Sequence, residues 1–208
     1  TMKWHEAESD PELLELWVAD MDFLPVPEIR DAVINYAETH IFGYPYPSDE
    51  LYQSIIDWEK NQHGYSVDKA SIVLIEGVVP AISTAIQSFT KEDDAVLINT
   101  PVYPSFARSV RLNNRKLIEN SLVKVNGHFE IDFEQLERDI VYNDVKLYVF
   151  CSPHNPGGRV WTKEELTMVA DLCQKHGVLL VSDEIHQDLA LYGNKHISLN
   201  TISNAYKD

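Results

Sequence analysis

Lys146-Leu147-Tyr148-Val149-Phe150-Cys151-Ser152-Pro153-His154-Asn155-Pro156-Gly157-Gly158-Arg159 opens as a run of apolar and aromatic residues and ends in a dense Pro/Gly turn. Lys146 to Cys151 reads as a strand, and the turn stops it. Thr162 and Glu165 have capping-box spacing and start a helix that Gly177 closes, with Leu166, Val169, Ala170 and Cys173 on its buried face. Val178-Leu179-Leu180-Val181 is then a fully apolar strand. Strand, crossover helix and strand make a parallel pair. Strands apolar on both faces need helices on both faces, so the reading is α/β: three layers, α/β/α, around a mostly parallel sheet.

The same alternation extends toward the amino terminus. Ile72-Val73-Leu74-Ile75 and Ala95-Val96-Leu97-Ile98 read as strands, and Ile82, Ala85, Ile86 and Phe89 give helical spacing between them. A short helix is expected over 104–112, a strand near 116–120 and a helix over 132–141. Ser48 is a candidate N-cap for a helix over 48–62 that Gly64 stops. Ile29, Ala32, Val33 and Tyr36 share one face of a helix over 28–40, and Gly43-Tyr44-Pro45-Tyr46-Pro47 is a loop. Residues 1–27 read as an extended arm and 28–208 as one partial domain. No internal repeat or low-complexity tract breaks this pattern.

The 208 residues are 44% hydrophobic and 24% charged, an ordinary globular composition. Seventeen Lys and Arg stand against 33 Asp and Glu, a formal net charge of -16, which argues against nucleic acid or an anionic membrane as partner. No run of about 18 apolar residues suggests a membrane span, and the first residues lack a signal-peptide core, so a cytoplasmic location is expected. Cys151 and Cys173 match no zinc or redox spacing and read as buried thiols.

In open α/β sheets, ligands bind beyond the carboxyl ends of the strands. After 72–75 comes Glu76-Gly77-Val78-Val79-Pro80, a glycine turn into a helix whose free N–H groups suit a phosphate, although many such turns are only turns. After 95–98, two prolines hold Tyr103, which can stack on a planar ring or simply pack at a corner. After 146–151, Pro153 and Pro156 restrain Asn155, an amide able to donate to a phenolate-type oxygen and also a common turn former. After 178–181 comes Ser182-Asp183-Glu184-Ile185-His186, where Asp183 needs a cationic partner that the neighbouring sequence does not supply. A metal site from Asp183, Glu184 and His186 is the alternative. Together, a phosphate cradle, a stacking ring, an amide donor and a buried acid fit pyridoxal 5'-phosphate (PLP).

The sequence resembles the class I/II aminotransferase-like, fold-type I PLP enzymes, most of all their cystathionine β-lyase (C–S lyase) branch. Leu16-Trp17-Val18-Ala19-Asp20-Met21-Asp22-Phe23, Phe42-Gly43-Tyr44, the segment Cys151 to Trp161, and Ser182 to His186 carry the resemblance. It implies that Asp183 pairs with the pyridinium nitrogen, Asn155 bonds the phenolic oxygen, Tyr103 stacks on the ring, and the backbone of Gly77, Val78 and Val79 holds the phosphate. It further implies that Tyr44 crosses a homodimer interface and that Ala19 and Asp20 border the amino-acid substrate. Many relatives carry tyrosine where this chain has His186. A histidine there can donate the same bond and also titrate near neutrality, so its role stays open.

The family's Schiff-base lysine is expected about 20 to 30 residues beyond the aspartate segment in a Ser-x-x-Lys-like motif. Lys195 and Lys207 lack that motif, so no catalytic lysine is assigned and the domain is expected to be incomplete at its carboxyl end. The implied activity is β-elimination from a sulfur amino acid to pyruvate, ammonia and a thiol. An aminotransferase of the same fold, which shares the first steps, is the alternative. A truncated, non-catalytic binding or regulatory protein is the third reading.

Overall fold

The computed structural model describes residues 2–5, 7–10 and 12–203 and divides into two compact units, Thr1–Pro47 and Ser48–Asp208. Lys207 lies outside the described residues.

In the first unit a 3-10 turn, Met2–Trp4, precedes loops and one helix, α1 (Pro27–Thr39). Lys3 is buried, and its ammonium donates to the Asp20 carbonyl at 3.0 Å and to the Asp22 carboxylate at 2.8 Å. That pair ties the start of the chain to the Ala19–Asp22 bend. Pro27 begins α1, where a missing N–H costs nothing. No α1 residue is buried, and Ile29, Val33 and Tyr36 on the apolar face are exposed.

The second unit holds the sheet. Its helices are α2 (Asp49–His63), α3 (Val78–Phe89), α4 (Ser105–Leu112), α5 (Phe133–Tyr142) and α6 (Lys163–His176). Its strands are β1 (Ala95–Thr100), β2 (Lys116–Ser121), β3 (Val123–Val125), β4 (His128–Glu130), β5 (Val145–Cys151) and β6 (Leu179–Asp183). β2, β1, β5 and β6 lie side by side in that order, all parallel, while β3 and β4 form a separate antiparallel hairpin.

Alternation along each strand sends apolar side chains to both faces. Leu97, Tyr148 and Phe150 pack with Trp161, Leu136 of α5 and Leu166 and Val169 of α6. Val96, Ile98, Leu147 and Val149 pack on the opposite face with Ile82 and Ile86 of α3 and Phe106 and Val110 of α4. The three-layer arrangement follows directly from continuous apolar runs that must be covered twice. The expected capping box closes: Thr162 accepts from the Glu165 N–H at 3.2 Å, and Glu165 accepts from the Thr162 N–H at 2.8 Å. Ser48 caps α2 as expected, accepting from the Leu51 N–H.

One polar thread crosses this apolar sheet. The Asn99 amide donates to Asn120 at 3.0 Å, Asn120 donates to Asp139 of α5 at 2.8 Å, and the Tyr148 hydroxyl donates to Asn99. Asn99, Asn120 and Tyr148 are all buried.

Two expectations need correction. Ile72–Ile75 is not a strand, because it pairs with none of the described strands and leaves Val73 83% exposed. An apolar run becomes a strand only where a neighbour takes its backbone hydrogen bonds. The hairpin β3–β4 has no counterpart in the expectations above. Its turn, Asn126-Gly127, has positive φ at both residues.

Candidate functional site

The chain leaves β1 through α4 to β2 on one side, while β5 lies on the other side of β1. The strand order therefore reverses between β1 and β5, the usual ligand position in such sheets. Tyr103 leaves β1 there and Asn155 leaves β5. The Tyr103 N–H donates to the Asn155 carbonyl at 3.1 Å and joins the two loops. Phe106 supports the Tyr103 ring edge-on at 6.5 Å, leaving the ring 44% exposed.

The Asn155 loop is fixed from several directions. Its N–H donates to the Cys151 sulfur at 3.4 Å, and His154 bridges to Arg159 through the backbone. Arg159 donates from Nη2 to both Glu165 oxygens, at 2.6 and 2.8 Å, and from Nη1 to the Phe129 carbonyl of β4. The guanidinium also lies 4.7 Å from the Trp161 ring centroid. Trp161 donates to the Cys151 carbonyl at 2.9 Å and ties the loop to the end of β5. The Asn155 side-chain amide makes no hydrogen bond among the described residues and stays available as a donor.

Asp183 ends β6 beside Cys151, and its carbonyl accepts from the Ser152 N–H at 2.9 Å. Its Oδ1 accepts from the Ile185 N–H at 3.0 Å, and the other oxygen takes no hydrogen bond among the described residues. Burial pushes its carboxyl above the ordinary aspartate range, and the Ile185 N–H and the charge of His186 only partly oppose this. A cation against the open oxygen would reverse that cost. His186 is half-buried on the turn that follows.

Gly77 precedes α3 at φ 105, a backbone conformation that a side chain would strain. No side chain caps this helix, so the N–H groups of Val78 and Val79 have no intrahelical acceptor and α3 presents a positive dipole end. Val78 and Asp183 line the same cleft of about 730 Å³. Most of that cleft runs along the free edge of β6, past Ala81, Ile82 and Ser198. Tyr103 and Asn155 are not among the residues that line it.

Ala19, Asp20 and Tyr44 sit on exposed loops of the first unit. Burial raises the Cys151 thiol to about 11 and the Cys173 thiol to about 12, so both stay protonated. Among the described residues, no group of three or more His, Cys, Asp or Glu is placed to hold a metal ion, which overturns the Asp183–Glu184–His186 metal alternative. No described helix is long and apolar enough to cross a membrane.

A family model for aminotransferase class I and II matches residues 11–206. The chain belongs to the aminotransferase class I and II family. Within this family it is 42% identical over 195 residues to cystathionine beta-lyase PatB of Bacillus subtilis, covering 94% of this chain and 50% of that protein. Cystalysin from Treponema denticola, a structure that contains PLP, superposes with a TM-score of 0.94 at 37% identity, covering 100% of this chain and 54% of that one. The PLP-bound C-S lyase from Staphylococcus hominis gives a TM-score of 0.90 at 30% identity, over 97% of this chain and 52% of that one. The chain thus spans about half the length of the relatives it matches.

Sequence reasoning missed the contacts that support the Asn155 loop. The hairpin that holds the Asn155 loop was signalled by Asn126-Gly127 between apolar residues, the strongest short-range hairpin signal. The bonds from Arg159 to Phe129 and Glu165 have no sequence signal, because they join segments distant in the chain.

Proposed function

We propose that this chain is the cofactor-binding part of a PLP-dependent carbon–sulfur β-lyase. Such an enzyme converts a sulfur amino acid and water to a thiol, pyruvate and ammonium. The observation that carries the reading is Asp183: a buried carboxylate at a strand end, with one oxygen open and no salt bridge among the described residues. The protonated nitrogen of a pyridine ring is a partner of matching charge and size.

The other donors fit the rest of PLP. Asn155 offers an unused amide to a phenolic oxygen, and Tyr103 offers a ring face beside it. Val78 and Val79, after the Gly77 turn, offer backbone N–H groups and a helix dipole to the phosphate. His186 sits close enough to Asp183 to influence its charge. When bound, PLP supplies an electron sink for negative charge at the substrate Cα. Asp183 keeps the ring nitrogen protonated, and Asn155 and Tyr103 fix the orientation of the ring. None of these residues is the Schiff-base lysine. Tyr44 crosses the interface of a cytoplasmic homodimer, and Ala19 and Asp20 border the amino-acid substrate.

The lyase is preferred to an aminotransferase because of the 42% identity to a cystathionine beta-lyase. Product analysis of the whole protein with cystathionine tests this. Pyruvate and thiol should form without any keto-acid acceptor. Strict dependence on an acceptor would make the protein a transferase.

A further inference from the structure

Glu184 follows Asp183, lines the same cleft, and has its side chain 17% exposed. It accepts from three donors: His196 Nε2 at 3.1 Å, the Leu199 N–H at 3.0 Å and the Ser182 hydroxyl at 3.0 Å. The His196 side chain is only 1% exposed. Burial alone would raise the Glu184 carboxyl, yet the bonds from His196 and Leu199 hold it below the ordinary glutamate range. A buried carboxylate supplied this fully is a fixed point.

The network continues to α2. The His63 ring meets His196 edge-on at 5.8 Å, and its Nε2 lies 2.8 Å from Asp188. Trp58 donates to the same carboxylate at 3.1 Å, and Gln187 donates to Glu59 at 2.7 Å. The segment after β6 is thereby held near both of its ends. The Asp183 backbone is held by β5 through Cys151 and Ser152, while its side chain takes one bond, from the Ile185 N–H of that segment.

We infer that His196, acting through Glu184, is a positioning residue that fixes the Asp183–Asp188 turn and so aims the Asp183 carboxylate at its cationic partner. This rests on the PLP reading for the identity of that partner, but the fixing of the turn stands apart from it. His196→Leu removes the donor while keeping apolar volume, and His196→Gln restores a donor. Both are made in the whole protein. Amide hydrogen exchange is measured without cofactor, and PLP affinity is measured by absorbance titration.

In His196→Leu, exchange at 184–189 should rise about tenfold while β1 and α6 stay within about twofold, the scale expected for one lost charge-assisted bond. The Kd for PLP should rise by a similar factor, and His196→Gln should recover most of both effects. Unchanged exchange at 184–189, a uniform rise across the protein, or a His196→Gln variant as defective as His196→Leu would each overturn the inference. Loosened exchange with unchanged PLP affinity would also overturn it. A wild-type protein that binds no PLP would sink the proposed function instead, and the exchange measurements would still decide whether His196 fixes the turn.

Discussion

Gly157→Ala tests how firmly the Asn155 loop is packed. A Cβ at Gly157 would stand 2.6 Å from His154 Nδ1 and 3.2 Å from Phe129 Cδ2. The first distance is inside any real contact, and His154 has little room to yield. It is 3% exposed and packs edge-on against Trp161 at 5.7 Å. Its Nδ1 also accepts from the Gly157 N–H at 3.2 Å, a bond that any shift would break. Overpacking at about 1–3 kcal/mol and a lost hydrogen bond at about 1 kcal/mol give an expected loss of about 2–4 kcal/mol. Equilibrium urea unfolding should show a lowered midpoint with an unchanged slope. Gly158→Ala is the control: nothing lies within 4 Å, but φ is +64, so the cost is dihedral strain of about 1–2 kcal/mol with no effect on His154. Combining Gly157→Ala with His154→Ala should cost less than the sum by about 1–2 kcal/mol, because the clash partner is gone. Stability within about 0.5 kcal/mol of wild type for Gly157→Ala, or strict additivity in the double variant, would refute the reasoning.

Two further predictions concern pH. Burial, with the Arg159 charge second, lowers the His154 imidazole to about 4, whereas the unfolded chain titrates near 6.5, so the unfolded state binds more protons between these values. Stability should be full above pH 6.5 and fall by about 3 kcal/mol as pH drops to 4, and equal slopes for wild type and His154→Gln would contradict this. Burial raises the Asp183 carboxyl, so without cofactor the folded state holds its proton more tightly and loses stability as pH rises from 3.8 through the raised value. Asp183→Asn should remove that loss and weaken PLP binding; a cofactor-free variant less stable than wild type at pH 7 but equal to it at pH 3 would refute the assignment.

The elements legible in the sequence were those with local causes. β1, β5 and β6 are short apolar runs bounded by turn residues, and α6 carries its own start and stop in Thr162, Glu165 and Gly177. Ile72–Ile75 has equal apolar character, but strand formation needs a partner, which composition does not encode. Asp183, Asn155 and Tyr103 stood out because ligands gather at strand ends, a rule of topology. His196 did not stand out, because its importance comes from a carboxylate twelve positions earlier. That Asp183 lacks a cation nearby in sequence was legible, but which of its oxygens stays open was not, since that depends on what the folded chain leaves unpaired.

The Asn99–Asn120–Tyr148 thread bears on how the sheet chooses its alignment. Parallel strands made of interchangeable Val, Leu and Ile could slide past one another with little change in greasy contact. Sliding here would strand two amides and a phenol in a dry interior, at about 1–3 kcal/mol for each group left without a mate. The three side chains sit on adjacent strands with Asn99 of β1 in the middle, so a shift of β1 breaks both links and a shift of β2 or β5 breaks one. They act as dowel pins: replacing them with hydrocarbons of equal size could leave the protein as durable but less singular in how its strands line up.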